Sequence, residues 1–390
     1  MRNWKRLTSV ALAAMVMATV LSGCGGNEQK EAADVIKIGA SFELTGNVAN
    51  YGKSILSGAK LAVDEVNATG GVLGKQLVVV ESDNKSEPSE SGNSVTKLVT
   101  QDRVVAIVGP ATSGCVAASA PITAANRIPQ IAPSATAPNI TVDDAGKVRD
   151  FMFRACFIDP FQGQVMAEFA DKSLQVKKIA VLYDSSSDYS KGLATVFADT
   201  MVQKGGTILA NEAFLAKDLD FKAALTKIKA TNPEALFVPG YYEEVSKIVK
   251  QAREIGLNVP ILGGDGWESP KLVEIAGKEA LNNCYYVSAF SVKDNDPSVQ
   301  KFIKDYRAKY QKDPDIFAMQ GYNAGLVLAD GIKRAGSTDG VAVAKAMAET
   351  KDLPVASGKL TYDAKHNPIM TASIIYYENG EPTLKEKISL

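Results

Sequence analysis

A few residues in this chain could do chemistry together. Ser113 lies in GPATSG, at the start of a helical run that reaches Asn126. The free N–H groups and dipole of a helix start favour an anion; a serine there can equally cap its helix. Ser134 and Thr136 stand in APSATAP, where proline and alanine hold an irregular backbone whose N–H groups are free to donate. With Ser113, the Thr136 hydroxyl suits a carboxylate. Asp265 sits in GGDGW, where three glycines let the chain approach a ligand closely. Its charge suits an ammonium group, unless it is a turn aspartate bonded to its own backbone. Tyr51, Tyr189, Tyr241 and Trp267 offer flat apolar faces with polar tips, as cleft walls or as plain core. A carboxylate subsite opposite an ammonium subsite, between aromatic walls, describes an α-amino acid.

Other chemistry finds less support. GNVANYGKS resembles a phosphate-binding loop, but five residues separate Gly46 from Gly52, and Tyr51 stands where that loop needs its glycine. The sole histidine, His366, falls in the turn DAKHNP and is expected to be solvated. Asp83 and Asp184 end strand-like runs; they could pair, but solvated strand ends are the expectation. There is no GxSxG elbow, no Cys–His pairing and no zinc spacing. Neither a cofactor, a resident metal nor a catalytic residue is expected, and the chain does not read as an enzyme. A net charge of -1 with interspersed signs argues against a nucleic-acid partner.

The elements that position these residues repeat. VIKIGAS, QLVVVESD, VVAIVG and IPQIAPSAT are apolar runs separated by helical patterns. KKIAVLYD, TILANEAF, ALFVPG and VPILGGDGW repeat the order. Both passes place Gly-Gly after the first helix, and glycine (Gly109, Gly240) after the third strand. Pro129 precedes Ser134 by the same spacing as Pro260 precedes Asp265, which sets Thr136 beside Trp267. The pattern predicts an α/β protein of two similar doubly wound parallel-sheet lobes. In such sheets ligands bind beyond the carboxyl ends of the strands, so the site lies where the two sets of ends face each other. In the last third, GKLTYDAKHNP and TASIIYYENG read as a final hairpin.

The chain opens with an export signal. Arg2, Lys5 and Arg6 precede an apolar stretch over 7–21 that ends in LSGC. This marks 1–24 as a lipoprotein signal peptide with Cys24 as the lipidated residue; an ordinary cleaved signal is the alternative. Residues 25–34 read as a flexible tether. The remaining Cys115, Cys156 and Cys284 are expected as buried thiols, with one optional disulfide. The protein is placed outside the cytoplasm, held to the membrane by its lipid.

GASFELTGNVANYG, GGVLGKQL, VGPATSG, IAPSATAP, FRACFIDPFQG, YDSSSDYSKGL and GGDGW stand in one order. On these motifs the chain resembles the leucine/isoleucine/valine-binding family, the extracytoplasmic substrate-binding proteins of branched-chain amino acid ABC importers. The resemblance covers essentially the whole mature chain. It implies a type I periplasmic-binding-protein fold with three hinge crossings, near FRACFIDP, near 287–290 and near GKLTYD. The lobes would comprise 35–157 with 289–358, and 158–288 with 359–390. It implies that Ser113, Ser134 and Thr136 hold the ligand carboxylate and part of its ammonium. Tyr241 and Asp265 would engage the ammonium, with Tyr51 and Tyr189 on the walls. Thr112 stands where some members carry a disulfide cysteine. The implied partners are a small amino acid and ABC permease subunits, for a monomeric protein. A receptor module of the same fold, a binder of another amino acid, amide or aromatic acid, and a secreted enzyme are the competing readings.

Overall fold

The structure is a computed structural model that describes residues 35–143 and 145–388. The signal peptide, Cys24 and the tether lie outside the described residues. No helix among the described residues is long and apolar enough to cross a membrane.

The first lobe begins with β1 (Val35–Phe42), α1 (Ala49–Ala68), β2 (Gln76–Asp83), α2 (Pro88–Thr100), β3 (Ala106–Val108), α3 (Ser113–Ala125), β4 (Gln130–Ala132) and β5 (Met152–Arg154). The second holds α4 (Asp159–Glu168), β6 (Lys178–Asp184), α5 (Asp188–Gln203), β7 (Thr207–Phe214), α6 (Lys222–Ala230), β8 (Ala235–Phe237), α7 (Tyr242–Glu254), β9 (Ile261–Gly263), α8 (Pro270–Ala276) and β10 (Cys284–Ser288). Then come α9 (Pro297–Tyr310), α10 (Ile316–Ala335), α11 (Gly340–Ala348), β11 (Leu353–Val355), β12 (Gly358–Leu360), β13 (Ala372–Glu378) and β14 (Glu381–Ile388).

The first sheet has the order β2-β1-β3-β4-β5; the second runs β7-β6-β8-β9-β10 and continues into β13-β14. The duplicated order anticipated from sequence is therefore present in both sheets. The inner strands AIV, QIA, ALF and ILG are buried along their length, as parallel strands covered on both faces must be. The edge strands β2 and β7 are only partly buried.

The chain passes between the sheets three times: from β5 to α4, from β10 to α9, and from β12 to β13. Helices α9 and α10 return to α1. Gly58 makes the close approach possible, since a Cβ there would stand 1.8 Å from the Ala318 carbonyl oxygen. Tyr310 Oη donates to Ser57 O at 2.8 Å, and Tyr322 Oη to Glu65 at 2.8 Å.

Two expectations for the last third are corrected. The final hairpin is β13 with β14, one strand later than GKLTYDAKHNP. That earlier segment supplies β12, which pairs with β11, and then a turn closed by a bridge between Tyr362 and Pro368. The turn folds His366 onto β5 and out of solvent. His366 stacks on Phe153 with ring centroids 4.3 Å apart, and its Nδ1 lies 2.9 Å from Met152 O. Burial holds its pKa below the usual histidine value.

Candidate functional site

The loops after β1, β3 and β4 face those after β6, β8 and β9. Between them is a small, tightly closed cavity, lined by Tyr51, Ser113, Ser134, Thr136, Tyr189, Tyr241 and Asp265, together with Ala111, Thr112, Gly266 and Phe317. Seven of the eight residues singled out from sequence thus meet at one place.

The first-lobe side is a helix start with hydroxyls around it. Thr112, not Ser113, is the N-cap residue of α3, and its side chain makes no capping bond. It bonds instead to the buried carboxylate of Glu43, which also accepts the N–H groups of Ala111 (3.0 Å) and Thr112 (3.0 Å). Glu43 thereby fixes the GPATSG loop. Ser113 Oγ is free of the capping role and accepts Ala137 N–H at 3.2 Å. Ser134 Oγ donates to Ala111 O at 2.8 Å. These bonds tie the loops after β3 and β4 into one wall.

The second-lobe side is acidic. Asp265 is buried; its Oδ1 accepts Tyr189 Oη at 3.0 Å and Gln162 Nε2 at 3.2 Å. The same Gln162 amide reaches Asp159 Oδ1 at 2.9 Å, while Asp159 Oδ2 is buried with no protein partner. Burial pushes Asp265 up to about 6. Burial, with the Asp265 charge adding to it, pushes Asp159 up to about 7. Asp265 is therefore more than a turn residue bonded to its own backbone.

The aromatic walls join the lobes. Tyr51 Oη donates to Gly266 O and accepts Tyr242 N–H at 3.2 Å. Its ring packs on Phe317 at 4.3 Å and edge-on against Tyr241 at 5.8 Å. Tyr189 and Tyr241 stack nearly parallel, 5.1 Å apart. Further bonds cross between the lobes. Asn47 Nδ2 donates to Glu244 at 2.8 Å, Lys217 pairs with Glu87 at 2.7 Å, and Ile316 N–H donates to Glu268 at 2.7 Å. The conformation described is a closed one.

Trp267 requires a correction. It is fully buried and does not line the cavity. The 3-10 turn over Asp265–Trp267 swings the indole back beneath β9, where Nε1 donates to Val238 O at 2.9 Å. A Cβ on Gly263 would stand 2.1 Å from the indole ring, so that glycine makes room for the packing. Asp83 and Asp184 do not pair. Asp83 accepts the N–H groups of Leu44, Thr45 and Lys85 and so ties the loop after β1 to its own, and Asp184 accepts Ser186 N–H and orders its own loop. Cys115, Cys156 and Cys284 are free and buried.

Sequence reasoning missed Glu43, Asp159, Gln162 and Phe317. Asp159 and Gln162 stand in FRACFIDPFQG, a motif of the resemblance whose first part marks a hinge crossing. An acid and an amide one helical turn apart at a helix start were the available signal. Glu43 and Phe317 reach the site by tertiary packing and carry no local pattern.

Two α/β lobes closed over a polar cavity at their strand ends define a solute-binding protein. The periplasmic binding protein family matches residues 35–381, and the chain belongs to it. A Leu/Ile/Val-binding protein, BraC3 of Rhizobium johnstonii, is 34% identical over 84% of this chain and 87% of its own length. A leucine-, isoleucine-, valine-, threonine- and alanine-binding protein of Pseudomonas aeruginosa is 33% identical over 86% of this chain and 87% of its own. Among solved structures, the branched-chain amino acid transporter substrate-binding protein LivJ of Streptococcus pneumoniae, in complex with isoleucine, is 40% identical. It superposes with a TM-score of 0.85 over 91% of this chain and 99% of that one. The fold is the type I periplasmic-binding-protein fold.

Proposed function

We propose that this chain is the extracytoplasmic substrate-binding component of an ABC importer. It captures one small aliphatic α-amino acid, branched-chain residues first, and presents it to a membrane permease. The lobes, 35–157 with 289–358 and 158–288 with 359–390, close on the ligand, and no covalent chemistry is done. One observation carries the reading. A single cavity sets Ser113 at a helix start and Thr136 on the loop after β4 against the buried carboxylate of Asp265, with tyrosine walls between. That is charge and shape complementarity to a zwitterion. Asp265 favours a ligand with an ammonium group over an aromatic acid that lacks one. The relatives support a small aliphatic side chain, and LivJ was solved with isoleucine.

In this reading Cys24 carries a lipid that keeps the protein near its permease. Mass spectrometry of the native protein should find a lipidated Cys24 at the mature N-terminus; an unmodified N-terminus elsewhere would overturn the anchor. The ligand is tested by a thermal-shift screen of the twenty amino acids. A true ligand at about 100 times its Kd adds ~2.7 kcal/mol of stability. A flat response across all of them would reject the amino-acid reading.

A further inference from the structure

Arg154, at the end of β5, is fully buried. Its hydrogen bonds all run to neutral oxygens. Nη1 donates to Ala135 O at 3.0 Å, and Nη2 to Ala137 O at 3.0 Å and Thr141 Oγ1 at 3.3 Å. Its Nε is buried with no partner. Burying a charge with no hydrogen-bonded counter-charge is costly, and caps on four loop oxygens, Pro138 O among them at 3.5 Å, do not require an ionic group. The oxygens it chooses are informative. Ala135 lies between Ser134 and Thr136, both of which line the cavity. In a trans peptide the N–H points opposite to the carbonyl. With the Ala135 carbonyl drawn to the guanidinium, the Thr136 N–H is aimed away from it. That N–H has no protein acceptor among the described residues. A cation on the carbonyl also polarises the peptide and makes its N–H a stronger donor.

We propose that Arg154 is a positioning residue of the carboxylate subsite, aiming and polarising the Ala135–Thr136 peptide and supplying the positive potential that selects a ligand carboxylate. It touches no ligand itself. No carboxylate of the protein hydrogen-bonds the guanidinium, though the charges of Asp159 and Asp363 act on it, and the ligand carboxylate adds to them. The proposal rests on the amino-acid reading given above.

The test compares L-leucine with L-leucinamide, which keeps the ammonium and side chain and loses the carboxylate charge. Calorimetry is run on the parent, Arg154→Met and Arg154→Lys. The parent's preference for leucine should fall about tenfold or more in Arg154→Met, through weaker leucine binding, with leucinamide held within about threefold. Arg154→Lys should recover part of the preference. A merely structural arginine would weaken both ligands together, so an unchanged leucine-to-leucinamide ratio overturns the proposal. If Arg154→Met does not fold, the comparison moves to the parent labelled with ¹⁵N. The Thr136 amide resonance should then shift further with leucine than with leucinamide, and equal shifts overturn the proposal. A parent that binds none of the twenty amino acids would reject the amino-acid reading, a result distinct from either of these.

Discussion

Asp265 and Asp159 share one hydrogen-bond donor: Gln162 Nε2 lies 3.2 Å from the first carboxylate and 2.9 Å from the second. Two acids held by one amide, both out of water, resist carrying two negative charges. Burial raises both, Asp265 to about 6 and Asp159 to about 7, so the pair gives up its protons in two steps.

Ligand affinity should therefore depend on pH in the acid direction. An ammonium group needs Asp265 ionised. As pH falls through about 6 the carboxylate is protonated and the counter-charge is lost, so Kd rises; above about pH 7 the profile flattens. Once Asp265 is mostly protonated, the loss approaches tenfold per pH unit. Asp159, held at about 7, is still largely protonated where Asp265 titrates, so Asp159→Asn should leave the fall near the same pH. Calorimetry from about pH 5 to about pH 8 decides. A flat profile in the parent would show that Asp265 is not the ammonium's counter-charge.

Asp265 and Thr136 should fail differently. Thr136 is one donor among several, with Ser113 and the start of α3 remaining after Thr136→Ala. The cost is that of one hydrogen bond to a charged group, about 1.5–3 kcal/mol. Asp265→Ala leaves the ligand ammonium desolvated without its partner, at about 3–5 kcal/mol. Asp265→Asn keeps an acceptor and should fall between. If Asp265→Ala binds its best ligand within about threefold of the parent, ~0.7 kcal/mol, the acidic subsite is misassigned.

A second acid pair lies where the lobes meet. Glu268 accepts Ile316 N–H at 2.7 Å and Ser288 Oγ–H at 2.9 Å, close to the half-buried Asp315 at the head of α10. Burial, then the Asp315 charge, pushes Glu268 up to about 8. A carboxyl raised in the folded state holds its proton more tightly there than in the unfolded chain, where the value is about 4.3. Its effect on stability is absent below about pH 4. As pH rises from there to about 8 it becomes progressively destabilising. Glu268→Gln should thus raise Tm at about pH 8 and leave it nearly unchanged at about pH 4.5, measured with saturating ligand so that the lobes stay closed. An equal change in Tm at both pH values would remove Glu268 from the pH dependence.

The first four strands of each lobe were legible because they are apolar-rich runs bounded by turn residues, and because the order occurs twice. Most of the site followed from the fold, since residues just past parallel strands must face the cleft. The same shortcut failed at Trp267. Matching it to Thr136 by position assumed that both loops leave their strands alike. The loop after β9 instead coils into a 3-10 turn, which carries the side chain back under the sheet. His366 was misjudged for a related reason: a polar turn motif gives its local shape, not the surface on which it lands. Arg154 and Gln162 were hidden inside a recognised motif, because their roles depend on loops from distant parts of the chain.

The contacts that hold the lobes shut should govern release more than capture. Asn47 in the first lobe donates to Glu244 of the second at 2.8 Å, and the same Glu244 oxygen accepts Lys217 N–H at 2.9 Å. Asn47→Ala removes the bond between lobes and leaves Glu244 satisfied by its own lobe, so the open form loses little. The closed form loses about 0.5–1.5 kcal/mol, and release should speed up by roughly two- to tenfold. The association rate should stay within about twofold, as is usual when an interface contact is trimmed. The Lys217–Glu87 pair lies nearby but is largely exposed, so Lys217→Met should change release by less, within the small range of surface ion pairs. Stopped-flow tyrosine fluorescence can follow both rates, because Tyr51, Tyr189 and Tyr241 stand at the closing surface. X-ray scattering should show the parent contracting when ligand is added, and Asn47→Ala contracting equally at saturation, since only the stability of the closed form is altered. Should Asn47→Ala slow capture and leave release untouched, the contact would belong to the encounter with ligand and not to the latch.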